Sequence, residues 1–71
     1  MERKEVVALL RDFAANNLLD VSWVSIGKNT EHDFRLEMKT NLIDPIMKFA
    51  ESRNFRVHLD KEKGLCIIYK P

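Results

Sequence analysis

The sequence predicts an α+β domain in which two helices pack on one face of a four-stranded, mainly antiparallel sheet, in the order α-β-β-α-β-β. Three observations lead there. Apolar residues recur at helical spacing in two separate stretches, and each stretch is followed by a pair of extended runs separated by a polar, glycine-containing turn. Sliding Val6–Val24 onto Leu42–Asp60 also brings Phe13-Ala14 onto Phe49-Ala50, with Val6 on Leu42, Leu10 on Ile46 and Val21 on Val57. Amphipathic patterning alone produces much of that matching. An internal pseudo-twofold repeat with halves 1–40 and 41–71 therefore stands beside a coincidence of pattern as an explanation.

The first helix is expected over Arg3 to Ala15, with Val6, Leu9, Leu10, Phe13 and Ala14 forming its apolar stripe. Glu2 and Glu5 suit the positive end of its dipole, and Asn16-Asn17 suits the left-handed turn that ends a helix. Strand one is expected from Asp20 to Ile26, with Val21 and Trp23 inward, and Gly27-Lys28-Asn29-Thr30 as the turn. Strand two, His32 to Lys39, alternates cleanly: His32, Phe34, Leu36 and Met38 on one face, Asp33, Arg35, Glu37 and Lys39 on the other.

Helix two has two candidate caps, Asn41 and Asp44, and Pro45 is tolerated in the first turn with either. Ile43, Ile46, Met47, Phe49 and Ala50 describe its buried side, Arg53 snorkels from the edge, and Asn54 closes it. Strand three, Phe55 to Asp60, points Phe55, Val57 and Leu59 inward. A hairpin turn over Lys61-Glu62-Lys63-Gly64 leads to strand four, Leu65 to Lys70, read with Leu65, Ile67 and Tyr69 inward. If the sheet is fully antiparallel and the halves are related by a twofold, the middle strands are either one and three or two and four.

A chain of 71 residues forms one domain, and at that length folding buries only about 60% of the surface an unfolded chain exposes. Disulfides cannot help, because Cys66 is the only cysteine, so a partner subunit is the remaining aid. The content of 45% hydrophobic and 32% charged residues excludes disordered and collagen-like classes. With no membrane span and no signal-peptide core, the expected setting is the cytoplasm. Leu42–Pro71 resembles the second half of the small sulfur-carrier proteins but lacks their Cys-Pro motif, so the resemblance implies no sulfur relay.

No nucleophile stands beside a base, no metal-ligand spacing occurs and no phosphate loop is present, so neither an enzyme nor a cofactor or metal is expected. Cys66 reads as apolar filler, and His32 and His58 as strand-rim surface. Trp23 and Tyr69 could stack on bases but read as core. The distinctive expectation concerns the sheet face turned away from the helices. With the inward sets above, Val24, Ile26, Cys66 and Ile68 point outward, where a solvated sheet should be polar. These four residues mark a protein interface, for a homodimer or for docking another protein, unless strand one carries a bulge or they are scattered exposed apolar residues of the ordinary kind. The alternative is nucleic-acid binding by Lys48, Arg53, Arg56, Lys61 and Lys63, although the net charge of only +1 supplies no general field for phosphate.

Overall fold

The computed structural model of the chain describes residues 1–19 and 21–71, and the side chains of Val21 and Ser22 also lie outside the described set. The elements are α1 (Arg3–Ala15), β1 (Val21–Thr30), β2 (Asp33–Thr40), α2 (Ile43–Ser52), β3 (Arg56–Asp60) and β4 (Leu65–Tyr69). This is the α-β-β-α-β-β succession expected from the sequence. The expected start of strand one at Asp20 and the inward side chain of Val21 lie outside the described residues.

Local chemistry fixes the helix ends. At the start of α1 the backbone N–H of Glu2 donates to the Glu5 carboxylate at 3.0 Å, which occupies an otherwise orphan donor and places negative charge at the positive end of the dipole. At the other end, Asn17 takes φ +58°, and the N–H groups of Asn17 and Leu18 donate to the carbonyls of Ala14 and Phe13. The same double closure ends α2. Asn54 takes φ +66°, with Asn54 and Phe55 donating to Glu51 and Ala50. Asparagine suits both positions because its short polar side chain lowers the cost of the left-handed region. Helix α2 starts between the two expected caps. Leu42 precedes it, its own N–H held by the Thr40 hydroxyl at 3.0 Å, and Pro45 falls in the first turn, where a missing N–H costs nothing.

The sheet runs β1-β2-β4-β3 with every neighbouring pair antiparallel, so strands two and four take the centre. Directly opposed residues of an antiparallel pair share a face. Leu36 opposes Ile68 and Met38 opposes Cys66, while Val57 and Leu59 oppose the same two β4 residues from the other side. That face is the core. Val6, Leu9 and Phe13 of α1 and Ile46 and Ala50 of α2 are buried with Leu36, Met38, Cys66 and Ile68 in one cluster, so both helices cover the same face. Helix α1 packs on β2 and α2 on β3, and they are tied to each other by the Phe13–Phe49 ring contact and by Arg53, whose Nη1 donates to Asp12 Oδ2 at 2.6 Å.

The first hairpin differs from expectation. Its turn is at Glu31-His32, between Thr30 and Asp33, and Gly27-Lys28-Asn29-Thr30 continues β1. Gly27 lies within the strand instead of turning it, and the Arg35 guanidinium lies across it, 2.7 Å from where a Cβ would stand, and reaches Asn29; a side chain there would have only to push this flexible arginine end aside. Strand β1 is thus ten residues long, twice the five of β3.

Candidate interaction surface

The strand register overturns the expected outer-face placement of Cys66 and Ile68. They are 2% and 0% exposed, enclosed between β2 and β3 and beneath the helices, and Leu65, Ile67 and Tyr69 take the outer face. All five residues of β4 are apolar, so alternation within the strand cannot orient it; pairing does. The hairpin closes over Asp60↔Leu65, which puts Cys66 beside inward-facing Leu59. A charge at Ile68 would consequently strike the core and not an interface.

Val24 and Ile26 are also on the face opposite to the one expected. Val24 opposes Met38 and Ile26 opposes Leu36, so both belong to the helix side. The cause lies at the start of β1, where the pairing steps irregularly from Val21↔Thr40 to Trp23↔Lys39. Such a step reverses the alternation of everything beyond it. Trp23, expected in the core, stands on the outer face and is 44% exposed.

Although they share the core face, Val24 and Ile26 remain 44% and 42% exposed, because β1 is the edge strand and the helices pack chiefly on β2 and β3. Asp12 and Phe13 mark the flank of α1 that meets α2. Helical geometry sets Val7 and Leu10 on the opposite flank, toward β1. Val7 is exposed, and Leu10 is half-buried against the core. The result is an apolar shelf along α1 that ends at a hydrogen-bonding strand edge. From Val21 to Gly27 that edge carries neither a charge nor a proline. The other edge is different: β3 is short and alternates Arg56, His58 and Asp60 on its outer face, the usual protection against stray pairing.

The outer face is mixed. Leu65, Ile67 and Tyr69 run down its middle, half-buried, flanked by Arg35 and Glu37 of β2, which form an ion pair at 2.9 Å, and by Arg56 and His58 of β3.

The basic residues of the nucleic-acid alternative are not brought together. Lys48 is on the exposed side of α2, Arg56 on the opposite, outer face of the sheet, and Lys61 and Lys63 in the β3–β4 turn. Arg53 is committed to Asp12, and its guanidinium carbon lies 4.7 Å from the centre of the Phe49 ring. Burial pushes the Cys66 thiol above its ordinary pKa, which disfavours the reactive thiolate. His32 and His58 stand in separate hairpins. Among the described residues no group of His, Cys, Asp and Glu side chains could hold a metal, and no helix is long and apolar enough to cross a membrane.

Comparison with protein-family models, with curated proteins and with solved structures returns no match.

Proposed function

We propose that this chain is a non-catalytic, cytoplasmic interaction module whose partner is a second copy of itself, joined edge to edge through β1. One observation carries the reading. The longest strand is at an edge, is free of charge and proline from Val21 to Gly27, and is bordered on its helix side by exposed Val24, Ile26 and Val7, whereas the β3 edge is short and charged. Natural sheets protect long apolar edges, and a partner strand protects one completely.

A second copy suits this edge electrostatically. Antiparallel pairing about a twofold at Ser25 sets Val24 of one copy against Ile26 of the other and places each Lys28 opposite the uncharged start of the second β1. The shelf beside α1 then receives apolar side chains from the partner strand's helix side. Pairing also buries the Val24, Ile26 and Val7 surface that the single subunit leaves exposed. A lone free cysteine fits a reducing compartment.

Sedimentation tests the reading. The parent chain is expected to be a dimer at micromolar concentration, and Ile26→Lys, which sets an ammonium in the joint, a folded monomer. A parent that stays monomeric at high concentration would overturn it.

A further inference from the structure

A strand edge without charge accepts a second copy in more than one alignment, because the backbone groups that pair repeat along it. Opposed side chains of an antiparallel pair share a face, so a twofold axis normal to the sheet passes through a residue. Near the middle of this edge that residue is Val24, Ser25 or Ile26. The outer face of β1 decides among them.

Two features of that face lie four residues apart. Trp23, the single tryptophan of the chain, stands exposed on it. Gly27 opposes Arg35 of β2, whose Cζ, Nε and Nη2 are 2.7, 2.7 and 2.9 Å from where a glycine Cβ would stand. A point nearly equidistant from these three bonded atoms, and that far from each, lies off their plane. The guanidinium is therefore laid flat on the glycine, with its second face turned away from the sheet. Its partners hold it by the rim: Nε donates to Glu37 at 2.9 Å and Nη1 donates to Asn29. Bonds made through edge N–H groups neutralise the charge pairwise but leave the flat face available for stacking. The Arg35 side chain is 31% exposed, so that face reaches the surface.

An axis at Val24 sets Trp23 of one copy opposite Ser25 of the other, and an axis at Ile26 sets it opposite Asn29. With the axis at Ser25, Trp23 falls opposite Gly27. Only this alignment brings the indole beside a strand position without a side chain, where a flat cation is already laid. The complementarity is electrostatic as well as steric, since the negative face of the indole meets the positive face of the guanidinium, and water leaves both. The twofold makes the contact twice.

We infer that, within the self-association proposed above and resting on it, Trp23 of each copy stacks on the Arg35 guanidinium of the other across Gly27 and so fixes Ser25 as the centre of the joint. The indole acts as the register key of the interface, and its occupant is a second copy of this chain.

Indole emission and sedimentation, followed together through dilution of the whole chain, test this. Emission of the parent is expected to move to longer wavelength as the dimer dissociates, because water then reaches Trp23. Ile26→Lys, monomeric throughout, should emit at the longer wavelength at every concentration. Trp23→Leu and Arg35→Gln should each weaken the dimer by about tenfold, and Trp23→Phe, which keeps an aromatic face, by less. The double variant Trp23→Leu/Arg35→Gln should be no weaker than either single one, since each alone removes the contact. A parent dimer whose emission is unchanged by dilution, or single effects that multiply in the double variant, would overturn the Trp23 contact and leave the β1 joint standing. A parent that is monomeric at every concentration overturns the joint and the contact together.

Discussion

The rings of Phe13 and Phe49 meet at 5.3 Å between centroids with their planes tilted by 60°, yet they are not counterparts in the fold. Phe13 offers its carbonyl to the closure of α1 as Ala50 does to that of α2, and Phe13 and Ala50 are the two that are fully buried. The helix ends therefore superpose with an offset one residue longer than the one that aligns the two Phe-Ala pairs.

Truncating these rings should have unequal effects. Phe13→Ala is expected to cost about 3–5 kcal/mol, enough to unfold a domain of this size. Phe49→Ala should cost about 1–2 kcal/mol, because its ring is only half-buried and contributes part of its area together with the Arg53 contact. Urea denaturation of the two variants checks the ordering; equal losses would restore the sequence register.

Lysine at two isoleucines distinguishes the corrected strand faces. Ile68→Lys should abolish cooperative unfolding, since it strands an ammonium among Leu36, Val57 and the helices, where several kcal/mol would be lost. Ile26→Lys should change the intrinsic stability of the subunit by only about 0.5 kcal/mol. Circular dichroism at low protein concentration, where association does not contribute, reads both.

Cys66 should react slowly. With the thiol enclosed and its pKa pushed up by burial, labelling by a disulfide reagent at neutral pH should require opening of the sheet and should accelerate in urea in step with unfolding. Cys66→Ser is expected to destabilise by about 1–3 kcal/mol through an apolar-site hydroxyl. Fast labelling of the folded chain would contradict its position.

Acid should loosen the first half of the chain in a defined direction. Glu5 is held below the ordinary carboxylate range first by the Glu2 backbone N–H and then by Lys70, and Asp33 first by the N-terminal ammonium of Met1 and then by Asn29. Both carboxyls bind protons more weakly when folded. Their contribution is therefore fully present above the unfolded pKa of about 4 and is lost as pH falls through the lower folded values. The melting temperature should drop between about pH 5 and pH 2, and Glu5→Gln should flatten that drop.

Helix α1, both asparagine closures and the alternation of β2 were legible because each rests on short-range chemistry: an apolar stripe, a residue tolerant of positive φ, and charges that mark the wet face. The sheet faces of β1 and β4 were not, for two different reasons. In β4 the run Leu65-Cys66-Ile67-Ile68-Tyr69 has no polar residue to break the symmetry. Counting across the hairpin from Leu59 would have oriented it, given the turn over Lys61–Gly64. In β1 the irregular step before Trp23 leaves no mark in composition, and Gly27 imitates a turn while lying within the strand beneath Arg35. The interface set Val24, Ile26, Cys66 and Ile68 mixes two outcomes of this kind: two residues exposed for a reason other than the expected one, and two enclosed.

The last of the six elements to be synthesised is a central strand. Until Leu65–Tyr69 has left the ribosome, Leu36 and Met38 line an unpaired β2 and the half-covered β3 has no neighbour. For that interval a nascent chain presents not one adhesive border but two, the β1 margin and the vacancy awaiting β4. Neighbouring chains on one messenger are then at risk of inserting a foreign strand into the vacancy, a domain-swapped assembly in which β4 is exchanged.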